Sequence, residues 1–239
     1  MNPILIPLDV ATASEAFALA DKLRGAVGGF KIGKQLFTAA GPEIVRALVD
    51  RGDRVFLDLK FHDIPNTVAG AIASASTLGV WMVNVHASGG AAMMTAGREA
   101  AEKTSAKLGR PRPLVIAVTV LTSLDAAALA SVGVARSPLD QAVHLARLAQ
   151  SAGLDGVVAS PLETAAIRAA CGRDFLIVTP GIRGGSAASG PDDQQRTMSP
   201  AGAIAAGSSH LVIGRPITGA PDPRAAAEKI LAEIGAVRT

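Results

Sequence analysis

Tyrosine is missing from this 239-residue chain, aromatic residues make up only 3% of it, and cysteine occurs once, at Cys171. Each scarcity excludes something. Stacking of bases on aromatic platforms, the usual way to hold single-stranded nucleic acid, has almost nothing to work with. A lone cysteine can neither close an intrachain disulfide nor build a cysteine metal cluster. The four histidines fall in no HxH or HExxH spacing, so zinc is not indicated. The formal charge of +3 is scattered, with no run of Lys or Arg that would track a phosphate backbone. No apolar stretch reaches the roughly 18 residues of a membrane span. The opening Met1-Asn-Pro-Ile-Leu-Ile-Pro-Leu-Asp9 lacks a basic leader and is stopped by an acid, which disfavours a signal peptide. The expectation is a soluble cytoplasmic protein with no nucleic-acid or membrane partner. Neither a Rossmann nor a Walker phosphate loop is present.

Hydrophobic residues are plentiful at 49%, so the core must be built from Ala, Val, Leu and Ile. Short apolar runs recur at 4–9, 30–33, 55–60, 81–86, 114–120, 156–160, 175–179 and 210–214. Most are continuous in hydrophobicity, as suits parallel strands covered on both faces. Amphipathic, Ala-rich stretches alternate with them at 14–24, 41–50, 66–78, 90–103, 138–151, 161–170, 200–206 and 221–234. Ser14 is a candidate cap for the first, and several others open with proline, whose missing N–H costs nothing there. Residues 123–136 suggest an extra short helix. Eight such alternations without a linker predict one α/β domain over 1–239, a (β/α)8 TIM barrel, with an open doubly wound sheet as the alternative. Residues 184–193, Gly-Gly-Ser-Ala-Ala-Ser-Gly-Pro-Asp-Asp, read as a mobile loop, either a lid or a passive connection.

The ends of the apolar runs carry the chemistry. The third run, Arg54-Val-Phe-Leu-Asp-Leu-Lys60, closes on Asp58 and Lys60, which strand alternation puts on one face, and Asp63 follows. Charge is costly to bury unless paired, so an acid, a base and another acid at the end of an apolar strand mark a reaction site. The other ends bring Asp9, Lys31, Thr122 with Ser123, Thr179-Pro-Gly-Ile-Arg183, and Gly214-Arg215. In a barrel all of these share the mouth where active sites lie, and phosphate sites there commonly follow strands seven and eight. Gly181, Gly184 and Gly185 free backbone for close approach, and Arg215 suits phosphate oxygens. A phosphorylated small molecule is the expected ligand. Taken singly, Asp9 could be a helix cap, Lys31 a strand-end lysine with its head in water, and Asp58 with Lys60 a structural ion pair. His62, His144 and His210 are expected to be structural, His86 to face the mouth, and Cys171 to be inert at a helix end.

With these residues in view, Asp58-Leu-Lys-Phe-His-Asp-Ile-Pro-Asn-Thr67 resembles the signature of the orotidine 5′-monophosphate decarboxylase family in its common bacterial group. Matching segments run along the chain: Leu8-Asp9, Phe30-Lys31-Ile-Gly33, Thr119-Val-Leu-Thr-Ser123, Thr179-Pro-Gly-Ile-Arg183, Asp193-Gln194-Gln-Arg196 and Ile213-Gly214-Arg215-Pro-Ile-Thr218. Phe61, Ser199 and a slightly long loop near 184–193 depart from the pattern. The resemblance implies a homodimeric barrel that turns orotidine 5′-monophosphate into UMP and CO2 without cofactor or metal. It implies Lys60 as the catalytic ammonium and proton donor, Asp58 facing the departing carboxylate, and Lys31 and Asp9 on the ribose hydroxyls. Asp63 and Thr67 are expected to reach the partner's site, Thr122 or Ser123 to read the pyrimidine edge, and Gln194, Arg183, Gly214 and Arg215 to hold the phosphate. Two rivals keep the fold. Magnesium-dependent sugar-phosphate decarboxylases and synthases share an Asp-x-Lys-x-x-Asp pattern but resemble one another in an acid where this chain has Lys31, which would repel a divalent ion. A non-catalytic phosphate-sugar binding barrel would need no acid–base–acid row.

Overall fold

The computed structural model describes residues 1–183 and 197–238. Eight parallel strands close into a barrel in chain order: β1 (Ile4–Pro7), β2 (Gly29–Gly33), β3 (Val55–Phe61), β4 (Met82–His86), β5 (Leu114–Val118), β6 (Gly156–Val158), β7 (Leu176–Thr179) and β8 (His210–Val212). β8 pairs back onto β1 through Ile4 with Leu211 and Leu5 with Val212. The open-sheet alternative is thereby excluded.

The helices are α1 (Ala13–Leu23), α2 (Lys34–Ala40), α3 (Glu43–Asp50), α4 (Pro65–Thr77), α5 (Gly90–Leu108), α6 (Ala126–Ser131), α7 (Pro138–Ser151), α8 (Thr164–Cys171), α9 (Pro200–Ala205), α10 (Arg215–Thr218) and α11 (Pro223–Arg238). Local chemistry explains where they differ from the sequence reading. The cap of α1 is Thr12, not Ser14: its hydroxyl accepts from the Glu15 N–H while the Glu15 carboxylate takes the Thr12 N–H, a reciprocal capping box. Helix after β2 starts at once, is interrupted at Gly41 (φ +67°) and Pro42, and resumes as α3. The extra helix expected over 123–136 shrinks to α6, capped by the Asp125 carboxylate on the Ala128 N–H. Pro161 lies in a turn before α8, whereas Pro65, Pro138, Pro200 and Pro223 open their helices.

Continuous apolar strands serve two cores. Ile4, Ile6, Phe30, Ile32, Val55, Leu57, Val83 and Val85 face the helices in one large cluster. The intervening Leu5, Phe56, Met82, Ile116 and Val178 meet inside the barrel in a second. The inner row continues upward in strand parity: Lys31 in β2, Asp58 in β3 and Asn84 in β4. The barrel thus has an apolar floor and a polar upper layer. His210, at the start of β8, lies at the opposite end, edge-on to Trp81 with ring centroids 5.2 Å apart. Among the described residues no helix is long and apolar enough to cross a membrane.

Candidate active site

A cavity of about 380 Å³ opens at the C-terminal end of the barrel, lined by Asp9, Lys31, Asp58, Lys60, Thr122, Arg183, Gly214 and Arg215 among others. Phe56, Val118, Val158 and Val212 form its apolar base. Inside it the charges form a row of alternating sign. The Lys31 Nζ is 3.3 Å from Asp9 Oδ1 and 3.3 Å from Asp58 Oδ2, and the Lys60 Nζ is 2.5 Å from Asp58 Oδ1. Asp58 and Lys31 are buried, Lys60 is partly exposed and Asp9 is open to solvent. Burial pushes the Asp58 carboxyl up, but the charges of Lys31 and Lys60 and hydrogen bonds from Lys60 and Asn84 outweigh it and hold the group below its ordinary value. Gly33 makes room for this row: a Cβ there would stand 3.2 Å from the Lys31 Nζ and 3.3 Å from Asp9 Oδ1.

Within one chain the row runs Asp9, Lys31, Asp58, Lys60. Among the described residues of one chain, Asp58 sits between Lys31 and Lys60, and Asp58 is the acid beside the Lys60 ammonium; the second acid expected there, Asp63, is assigned to the partner's site. Asp63 is exposed, and its carboxylate accepts from the Ile64 N–H at 2.6 Å. Residues 62–67 are all exposed, including Thr67 and Ile64, the latter at 67%. Asp63, Thr67 and Ser123 do not line the cavity, whereas Thr122 does.

Nor does unbroken alternation carry Lys60 into the cavity. The β3–β4 register shifts between Leu57 and Phe61: Leu57 pairs with Val83, yet Phe61 pairs with Val85. Lys60 has φ +55°, the single non-glycine residue with positive φ among those described. Such a left-handed backbone costs an L-residue roughly 1–2 kcal/mol. Asn84, fully buried in β4, meets this irregularity on both sides. Its Oδ1 accepts the Lys60 backbone N–H at 2.8 Å, and its Nδ2 donates to Asp58 Oδ1 at 2.7 Å. Sequence reasoning missed Asn84. Its signal was a lone amide at an inward-facing position of an otherwise apolar strand.

On the other side of the mouth, Gly181 takes φ +77° after β7, and the segment is pinned by Arg183 N–H donating to the Met198 carbonyl at 2.9 Å. Gly214 caps α10, which begins at Arg215. Gln194 and the loop at 184–193, with Gly184 and Gly185, lie outside the described residues. His86 faces His62, ring centroids 5.4 Å apart, and burial together with the charges of His62, Lys60 and Lys34 lowers its pKa to about 4. His144 is exposed on α7, and Cys171 is buried at the end of α8, where burial pushes its thiol up.

The model of the orotidine 5′-phosphate decarboxylase / HUMPS family matches residues 2–230. The chain belongs to that family. Among curated relatives of this orotidine 5′-phosphate decarboxylase / HUMPS family chain, the orotidine 5′-phosphate decarboxylase of Moorella thermoacetica is 56% identical over 238 residues, 99% of this chain and 94% of the relative. That of Alkalilimnicola ehrlichii is 56% identical over 234 residues, 98% of this chain and 96% of the relative. A crystal structure of orotidine 5′-phosphate decarboxylase from Lactobacillus acidophilus superimposes with a TM-score of 0.86 at 36% identity, covering 98% of this chain and 99% of that one. The family description spans more than one reaction, so the choice between them falls to the chain's own residues and to these relatives.

Proposed function

We propose that this chain converts orotidine 5′-monophosphate to UMP and CO2, the closing step of de novo pyrimidine synthesis, as a cytoplasmic homodimer. The observation that carries the reading is the ammonium of Lys60 held against Asp58 at the mouth of a barrel, in a cavity also lined by Arg183 and Arg215. Breaking the bond between C6 and the carboxylate leaves an electron pair in the ring plane, which the pyrimidine cannot delocalise. A fixed cation beside C6 answers that charge directly. The bond to the carboxyl carbon breaks, CO2 leaves, and the pair left on C6 takes a proton from the Lys60 Nζ, which solvent then replaces. On this reading no cofactor is needed, because the lysine supplies both charge and proton.

Electrostatic preorganisation is the main term. Two unit charges at about 4 Å interact by roughly 4 kcal/mol at an effective dielectric of 20. The attraction grows as charge builds on C6, so it favours the transition state over the ground state. Asp58 would face the substrate carboxylate and repel it, a smaller contribution that vanishes as CO2 departs. Lys31 and Asp9 are assigned to the ribose hydroxyls and Thr122 to the pyrimidine edge. Arg183, Arg215 and the Gly214 backbone are assigned to the phosphate. The exposed run 62–67, with Ile64 at its centre, supports a dimer contact that would carry Asp63 and Thr67 toward the partner's site.

The magnesium-dependent sugar-phosphate reading fits less well. The Lys31 ammonium stands between the carboxylates of Asp9 and Asp58, where a divalent ion would need both. The deciding experiment is consumption of orotidine 5′-monophosphate by the purified chain with and without EDTA. Undiminished turnover in chelator is expected. Loss of activity in EDTA would favour the rival, and UMP binding without CO2 release would reduce the protein to a binding barrel.

A further inference from the structure

We propose that Asn84 is a positioning residue: its single amide sets both the left-handed backbone of Lys60 and the rotamer of Asp58, and so aims the ammonium at the reacting carbon. The role rests on the decarboxylase reading and adds a residue to it. The register shift in β3 removes the Lys60 N–H from the regular ladder, where an N–H would find a β4 carbonyl. The Asn84 Oδ1 takes that N–H at 2.8 Å. The other end of the same amide donates to Asp58 Oδ1 at 2.7 Å, the oxygen that also receives the Lys60 Nζ at 2.5 Å. A ring of contacts therefore runs from the Lys60 backbone through Asn84 and Asp58 to the Lys60 side-chain tip. The backbone end of a flexible four-carbon side chain is tied directly to one rigid, fully buried group on the neighbouring strand, and its tip is tied to the same group through Asp58.

The amide is the one functional group of this size that closes the ring. A carboxylate would accept from the Lys60 N–H but repel Asp58. A hydrocarbon would leave the Lys60 N–H without its acceptor in a partly buried place. Asn84 does not line the cavity, so it acts through its two neighbours and not on substrate.

The test uses full-length Asn84→Leu and Asn84→Asp beside wild type. Turnover of orotidine 5′-monophosphate is measured, and calorimetry gives affinities for UMP and for 6-hydroxyuridine 5′-monophosphate, whose C6 oxygen is anionic. Removing one preorganised contact should lower kcat by about 100-fold or more in either variant. UMP carries no charge at C6, so its dissociation constant should stay within about twofold of wild type. The anionic nucleotide should lose affinity roughly in proportion to kcat, because it reports the aim of the ammonium. A fall in kcat with an unchanged ratio of the two affinities would make Asn84 a scaffold residue and overturn the proposal. Near-normal turnover in Asn84→Asp would do the same, and so would loss of cooperative folding in both variants. Inactive wild type would instead sink the decarboxylase reading itself.

Discussion

Replacing Lys60 by glycine should yield a dead enzyme that is more stable than the one made by replacing it with alanine. At φ +55°, alanine keeps a left-handed penalty of roughly 1–2 kcal/mol, whereas glycine adopts the same backbone freely. Glycine's greater freedom in the unfolded chain returns about 0.5–1 kcal/mol of that advantage. Taking the middle of each range, glycine should remain ahead by roughly 0.75 kcal/mol, the reverse of the usual order within a strand. Neither variant strands Asp58, which retains Lys31 at 3.3 Å and the Asn84 amide at 2.7 Å. For a chain of this size, the difference corresponds to a melting temperature higher by about 1–4 °C. Both variants lose the cation opposite C6, worth about 4 kcal/mol at an effective dielectric of 20. They also lose the proton donor, worth about 10²–10⁴-fold, so kcat should fall by about 10⁵-fold or more while UMP binding stays measurable. Paired urea and thermal melts, with single-turnover assays, decide the matter. If alanine proves as stable as glycine, strain at Lys60 is not what the backbone angle implies. If either variant turns over near the wild-type rate, the lysine is not the proton donor.

Three further outcomes are expected. Arg215→Ala should raise KM for orotidine 5′-monophosphate by about 10–100-fold, the worth of charge-assisted hydrogen bonds to phosphate; an unchanged KM would move the phosphate site elsewhere. His86 stays neutral in the folded chain down to about pH 4 but protonates near 6.5 when unfolded, so the unfolded state binds more protons between those values. Its contribution to stability is therefore complete above pH 6.5 and is lost as pH falls toward 4, and His86→Asn should flatten the slope of urea midpoint against pH across that window; an identical slope would refute the assignment. Finally, mixing inactive Lys60→Ala and Asp63→Ala chains should restore about one quarter of wild-type turnover if an isologous dimer shares its sites, because one site in each mixed dimer is then intact. No restored activity would show that Asp63 does not serve the partner.

The barrel was legible because its signal is periodic and redundant: eight apolar runs of strand length, each followed by a helical pattern, leave few topologies. Closure also made the mouth legible, since it gathers residues as distant in sequence as Asp9 and Arg215 around one cavity without any local clue. What escaped depends on single torsions and contacts between strands. Alternation assigns Asp58 and Lys60 to one face, but the observed route runs through a register shift and a positive φ, and nothing in Leu59-Lys60-Phe61 announces either. Asn84 was passed over because one amide within Met82-Val-Asn-Val-His86 reads as a tolerated polar residue until its partners on β3 are known. Asp63 leaves this chain's cavity because the chain turns outward immediately after β3, the exposure that its expected place in a partner's site requires. What escaped at Lys60 and at Asn84 shares a cause. Spacing along a strand reports which side chains share a face, whereas the ammonium's direction is set by what the neighbouring strand offers to the backbone that carries it. A lysine on a regular pleat would place its charge by rotamer alone and lose entropy on every turnover to do so. Tying both its N–H and its carboxylate partner to one buried amide removes that freedom during folding, before substrate arrives.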